Sequence, residues 1–205
     1  MLADRLISCR HDESIVVAIP RGGLVVAAEV AGALNAERDI VLVKKIGAPY
    51  NKDYAIGALS ESGCEVIDYD AVRDLRVEAA YIERMRLLLS REMDIQRSGL
   101  RDGCPSVPLR GRTVIIVDDG VATGLTVKAA ALTVRAERPG KMVLAVPVAA
   151  SDSLALLRPF FDKIICLESS ETFFSVGQFY DQFESISDET AAKLFREGCG
   201  PIALN

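Results

Sequence analysis

Short runs of apolar, mostly β-branched residues recur along the chain with helical patterns between them. Ile15–Ile19, Ile40–Ile46, Val114–Val117, Met142–Val148 and Ile164–Leu167 show little of the polar alternation of a strand wetted on one face. Strands of this kind must be covered on both sides. Leu24–Leu34 and Leu125–Ala136, rich in Ala and Val, supply helices to cover them. The pattern therefore predicts an α/β fold, a parallel sheet with helices on both faces. Ala55–Ser60 and Cys64–Asp68 read as a pair of short strands around the turn Glu61-Ser62-Gly63. Gly47-Ala48-Pro49-Tyr50-Asn51 breaks the run that precedes them.

Size and charge narrow the function classes. A chain of 205 residues can bury about 70% of its unfolded surface without staples. A hydrophobic content of 50% with 26% charged residues excludes a disordered or low-complexity protein. The net charge of −5 weighs against a general nucleic-acid binder, so no nucleic-acid partner is expected. No apolar run is long enough to span a bilayer, so no membrane association is expected. Met1–Asp12 carries charges throughout and lacks a signal-peptide core, and its His11 reads as a solvated surface residue. Cys9, Cys64, Cys104, Cys166 and Cys199 are scattered and show no Cys-x-x-Cys spacing. Free thiols in a reducing, cytoplasmic setting are expected, with neither disulfide frame nor zinc site.

Two segments depart from the alternation. Ala71–Arg97 reads as one long helix with Leu75, Ala79, Ile82, Leu89 and Met93 as its buried stripe. Its arginines, among them Arg73, Arg84, Arg86 and Arg97, read as a solvated face of ion pairs; the sharper alternative has one or two reaching an anionic ligand. Gly99–Arg110, with Pro105 and Pro108, is a returning loop. The tail Ser169–Asp181 concentrates Phe173, Phe174, Phe179 and Tyr180, which suits either packing or a surface for stacking a flat ligand.

The chemistry concentrates in Val114–Thr126. An apolar strand delivers Asp118 and Asp119 to its C-terminal edge, where ligands bind in open α/β sheets. Gly120, Val121, Ala122, Thr123 and Gly124 follow as a loop of small residues that lets backbone N–H groups approach a ligand, and Thr123 and Thr126 add hydroxyl donors. The loop enters a helix at Leu125, whose unpaired N–H groups and dipole favour an anion. The loop suits a phosphate and the carboxylates suit vicinal hydroxyls or a metal, so the natural ligand is a sugar phosphate. The Lys-Ser/Thr of a nucleotide P-loop and the Gly-x-Gly-x-x-Gly of a dinucleotide site are both absent.

Val117-Asp118-Asp119-Gly120-Val121-Ala122-Thr123-Gly124 resembles the phosphoribosyl-pyrophosphate (PRPP) motif of type I phosphoribosyltransferases. Pro20-Arg21-Gly22-Gly23 resembles the pyrophosphate loop of that family. Lys44–Pro49, Ala55–Ala58, Val176–Tyr180 and Ser187-Asp188-Glu189 are similar to a subgroup of bacterial and archaeal members, so the likeness runs from Ile15 to Phe195. It implies the type I fold over residues 1–205 as one domain. The core would span about 13–167, a long helical insertion about 70–110, and a small C-terminal hood about 168–205.

The same resemblance implies site roles. Asp118 and Asp119 would hold the ribose 2- and 3-hydroxyls, and Gly120–Leu125 with Thr123 and Thr126 would wrap the 5-phosphate. Arg21, Gly22 and Gly23 would meet the pyrophosphate, through a strained or cis peptide. Lys44 or Lys45 would add charge there; neighbouring strand residues face opposite ways, so only one of them is expected at the site. Phe173 and Phe174 would belong to the acceptor hood. Arg21, Asp118 and Asp119 are the catalytic candidates, with Mg2+ held through PRPP and, through water, by one of the two aspartates. A branched side chain at Gly124 is expected to fill the phosphate space. Hypoxanthine-guanine enzymes carry an Asp where this chain has Ala122, which resembles the adenine and uracil enzymes instead.

The implied activity is transfer of 5-phosphoribosyl from PRPP to a purine, pyrimidine or other nitrogenous base in nucleotide metabolism, by a homodimer. Glu168 or Glu171 could accept from an amino group on that base, but no residue marks which base it is. A PRPP-sensing regulator without the chemistry is the alternative.

Overall fold

The computed structural model describes residues 1–9 and 13–199. His11 lies outside the described residues. The chain opens with α1 (Leu2–Leu6), β1 (Ser14–Ala18), α2 (Gly23–Leu34) and β2 (Glu37–Ile40). Next come β3 (Val43–Ala48), β4 (Asn51–Ser60) and β5 (Glu65–Ile67), then α3 (Tyr69–Asp74) and α4 (Ala79–Arg101). The second half runs β6 (Thr113–Val117), α5 (Leu125–Ala136), β7 (Lys141–Ala150), α6 (Ser151–Leu157), β8 (Lys163–Ser170) and α7 (Asp188–Arg196).

The main sheet has the order β2-β1-β6-β7-β8, and every pair in it is parallel. Alternate residues of one strand feed opposite cores. Val16 and Ala18 pack with α1, α2 and α7, where Leu6, Val30 and Phe195 are buried. Ile15 and Val17 pack with α5, against Val127, Ala130 and Val134. That is why the strand runs show no polar alternation: both faces are covered. Each fully buried Val or Ile side chain contributes about 1.5–3 kcal/mol of apolar burial.

The apolar run Ile40–Ile46 is not one strand. Ile40 ends β2 in the parallel sheet, and Val43 begins β3 in a separate antiparallel sheet of order β3-β4-β5. Val41 and Leu42 form the corner. Val41 N–H donates to the Ala18 carbonyl at 3.0 Å and Leu42 N–H to the Glu61 carboxylate at 2.9 Å. The two sheets share one continuous apolar segment, which hides the turn between them from a periodicity reading.

The long helix expected over Ala71–Arg97 is also divided, by a break at Leu75–Glu78 where Arg76 takes a positive φ of 51°. Leu75 is exposed and Ala79 faces solvent, contrary to the expected stripe; the observed one is Leu89, Met93 and Leu100, with Ile82 half-buried. Arg73, Arg86 and Arg97 behave as ion-pair partners. Arg86 pairs with Glu65 at 2.7 Å and Arg97 with Asp94 at 2.7 Å.

Neither α1 nor α7 is visible as an apolar pattern in the sequence. Both are short and mostly wet, and each buries only a few large side chains, Leu2 and Leu6 in α1 and Phe195 in α7. Because α7 packs along α4, Cys104 and Cys199 approach to a Cα–Cα distance of 5.8 Å and are joined as a disulfide. The expectation of five free thiols is corrected to three: Cys9, Cys64 and Cys166. A sequence separation of 95 residues gave no hint of the pairing. Among the described residues, no helix is long and apolar enough to cross a membrane, and no cluster of metal-ligating side chains stands together.

Candidate active site

The strand order reverses between β1 and β6, since α2 carries the chain from β1 to β2 and α5 carries it from β6 to β7 on the other side. A crevice opens at such a point beyond the carboxyl ends of the strands. The two sequence segments singled out above both end there.

On one side, Ile19 N–H still donates to the Val117 carbonyl at 3.0 Å before the chain turns. The Pro20–Arg21 peptide that follows is cis. Gly22 then leads into α2. On the other side, β6 ends at Val117 and releases Asp118 and Asp119. The two segments touch: a Cβ on Gly22 would overlap the Asp119 carboxylate, so only glycine permits the close approach. The loop after Asp119 is stitched to β7 by a bond from Val121 N–H to the Val148 carbonyl at 3.0 Å and by one from Ala150 N–H to the Val121 carbonyl at 2.8 Å. It ends at Gly124, whose φ of 76° is open to glycine and strained for other residues. That turn leads straight into α5, whose first N–H groups have no intrahelical partner. Ser153 Oγ donates to the Ala122 carbonyl, a contact no sequence signal indicated.

Asp119 N–H donates to Asp118 Oδ1 at 2.9 Å, so the loop backbone fixes one carboxylate. Burial pushes the Asp118 carboxyl well above the usual carboxylate range, and the neighbouring Asp119 charge adds to the shift. Asp119 is raised too, chiefly by burial. No ion pair reaches either group among the described residues. Two adjacent carboxylates without a cation suit a ligand that donates hydrogen bonds or brings positive charge. Tyr180 closes the site from the C-terminal segment, its hydroxyl donating to the Asp119 carbonyl at 2.6 Å. Burial, with the charges of Asp119 and Asp118, pushes its phenol up to about 12, so it stays a donor across the physiological range.

Two cavities flank the crevice. The first, about 170 Å³, is lined by Asp118, Gly120–Gly124, Thr126 and Val127 of the loop and helix, Lys45, Asp53 and Ala55 of the β3–β4 hairpin, and Val176. Lys45 Nζ is held beside it by the Asp53 carbonyl at 3.1 Å. The second, about 360 Å³, is lined by Pro20, Arg21 and Lys44 together with Glu92, Ile95, Gln96 and Asp188. Lys44 and Lys45 do face opposite ways, but each meets a different cavity, which corrects the expectation that only one lysine reaches the site. Phe173 packs on Phe179 with ring centroids 5.0 Å apart, inside the C-terminal segment. Phe174 points to solvent at 86% exposure. Glu168 and Glu171 are exposed as well. Sequence reasoning missed Ser153, Glu92 and Asp53 entirely; Asp188 stood in a motif to which no role was attached, and Tyr180 was read only as a packing or stacking aromatic, not as a hydrogen-bond donor to the loop.

A parallel sheet whose switch-point crevice joins an acidic strand end, a small-residue loop at a helix N-terminus and an arginine-bearing turn defines the type I phosphoribosyltransferase fold. Comparison with known proteins agrees. The family model "Phosphoribosyl transferase domain" matches residues 1–184, and the chain belongs to that family. Two curated Mycobacterium tuberculosis proteins are each 40% identical to it over 191 residues, 92% of this chain. They are named "Putative phosphoribosyl transferase Rv0571c" in strain H37Rv and "Putative phosphoribosyl transferase MT0597" in strain CDC 1551. The chain spans 42% of the length of each. Among solved structures, the crystal structure of TT1426 from Thermus thermophilus superposes with a TM-score of 0.78 at 36% identity, over 97% of this chain and 94% of that one.

Proposed function

We propose that the chain transfers 5-phosphoribosyl from PRPP to a nitrogenous base and releases pyrophosphate, as a cytoplasmic, Mg2+-dependent enzyme of nucleotide metabolism that works as a homodimer. The observation that carries this reading is the meeting of Gly22 with Asp119 and of Gly23 with Asp118 at the switch point, beside the turn that bears Arg21. It sets a cation-bearing cavity on one side of the acid pair and a phosphate-sized loop cavity on the other.

In this reading the carboxylates of Asp118 and Asp119 accept from the ribose 2- and 3-hydroxyls. The backbone N–H groups of Gly120–Leu125, with Thr123 and Thr126, take the 5-phosphate at the start of α5. Lys45 lines that cavity and supplies its positive charge, so its role moves from pyrophosphate to 5-phosphate. Arg21 and Lys44 line the other cavity and receive the diphosphate. Breaking the anomeric bond builds negative charge on that group, and Arg21 meets it as a preorganised donor. The acid pair lies on the ribose side, where it favours the cationic ring. The uncompensated pair also fits a divalent cation reached through the substrate and water, which when bound would neutralise diphosphate oxygens. No side-chain nucleophile is needed. Phe173 and Phe179 would back the acceptor hood, whereas Phe174, in solvent, would meet a base only from outside.

A nucleobase panel with PRPP and Mg2+, monitored for pyrophosphate release, tests the assignment. Release that depends on one base and is lost in Arg21→Ala supports transfer. PRPP binding without release under every base points to a sensor instead.

A further inference from the structure

The motif Ser187-Asp188-Glu189 has no part in the roles above, yet it lies at the site. Ser187 caps α7, its Oγ accepting from the Thr190 N–H at 3.1 Å, and so fixes the first turn of the helix. That turn presents Asp188 to Arg21, with Nη1 and Oδ1 3.5 Å apart. Across the same cavity, Glu92 of α4 faces Lys44 at 3.9 Å. Both cations of the 360 Å³ cavity are thus matched by a carboxylate on its wall. Both pairs are long and made by half-exposed or exposed side chains, so they bind weakly and exchange readily.

Resting on the reading of this cavity as the diphosphate subsite, we propose that Asp188 and Glu92 set its selectivity. They cancel the charges of Arg21 and Lys44, so the cavity rejects the bare diphosphate anion and admits it when complexed with a divalent cation. A bare diphosphate carries several negative charges and meets two carboxylates at close range. Its magnesium complex carries fewer, and the hydrated cation offers water hydrogens to those same carboxylates. A wall with only Arg21 and Lys44 would hold the free anion tightly and slow its departure. Asp188 and Glu92 are therefore specificity residues, and neither takes part in bond breaking.

Titration calorimetry of inorganic pyrophosphate, in excess Mg2+ and in excess chelator, tests this without reference to turnover. The parent protein should bind the magnesium form and discriminate against the metal-free form. In Asp188→Asn with Glu92→Gln, the metal-free anion should bind about 25-fold tighter, about fivefold for each of the two unit charges removed at contact distance in a wet site. The magnesium form should change less, so the preference narrows. An unchanged ratio between the two forms would overturn the proposal, as would equal weakening of both, which would make the carboxylates mere props for the cations. The underlying reading fails separately: in that case the parent would not bind pyrophosphate even with Mg2+, or Arg21→Ala would bind it as the parent does.

Discussion

Replacing Asp118 by Asn should make the free protein more stable and the bound protein less so. Asp118 sits beside a second carboxylate with no ion pair on either among the described residues, and its carboxyl is raised by burial and by Asp119. A carboxyl whose folded pKa lies above its unfolded value binds protons better in the native state. Native stability therefore falls as pH rises from the ordinary carboxylate range through the raised value, and the penalty is complete once pH has passed that value. Asn keeps the Oδ1 that accepts from the Asp119 N–H at 2.9 Å, so the loop geometry survives the change. Above that raised value, removing one of two adjacent buried charges should stabilise the free protein by about 1 kcal/mol or more, a rise of about 2–4 °C in Tm for a chain of this size. The same change replaces a charge-assisted hydrogen bond to the ribose, worth about 1.5–3 kcal/mol, so PRPP should bind about ten- to a hundredfold more weakly. Thermal unfolding from pH 4 to pH 8, with and without PRPP and Mg2+, reads both effects. The parent and variant curves should converge at low pH and separate as pH rises. A variant less stable than the parent at pH 7, or one still protected by PRPP as the parent is, would refute the reasoning.

Gly124→Val should lower Tm by a few degrees, because φ is 76° there and a branched residue pays roughly 1–2 kcal/mol in that region. A Cβ at this position would lie 3.5 Å from Leu157 and Ser153 rather than in the phosphate cavity, so the expected filling of that cavity is corrected to a backbone effect. Ribose 5-phosphate should protect the variant less than the parent against unfolding, because a shifted backbone at Gly124 displaces the N–H groups at the start of α5. Tyr180→Phe removes the donor to the Asp119 carbonyl; it should cost about 0.5–1.5 kcal/mol in denaturant unfolding, with no pH dependence between pH 6 and 9 because the phenol titrates near about 12. Arg21→Ala should lower kcat by more than it raises the KM for PRPP, since charge on the leaving group grows toward the transition state; steady-state kinetics on the base found by the panel would show the split.

The sheet was legible where its strands are apolar on both faces, as Ile15/Val17 and Val16/Ala18 of β1 illustrate; β2, with Glu37, Arg38 and Asp39, carries no such signal. The acid pair and its loop were legible for a related reason: nothing but a ligand accounts for two carboxylates and a string of small residues after a buried strand. Boundaries inside apolar segments were not. Ile40–Val43 is uniformly apolar around the corner, and only the bonds of Val41 and Leu42 reveal the change of sheet. Elements held by one or two anchors escaped as well, as α7 did with Phe195. The second carboxylate layer, Glu92 and Asp188, comes from helices remote in sequence from Lys44 and Arg21, so only the tertiary fold pairs them.

The most direct test of the site is a crystal structure of the protein with PRPP and Mg2+. The account expects the ribose 2- and 3-hydroxyls within about 2.5–3.0 Å of the Asp118 and Asp119 carboxylates. It expects the 5-phosphate in the cavity of Gly120–Thr126 with Lys45 on its far side, and the diphosphate at Arg21 and Lys44. PRPP bound with its two phosphate ends exchanged, or away from the β1–β6 switch point, would contradict it.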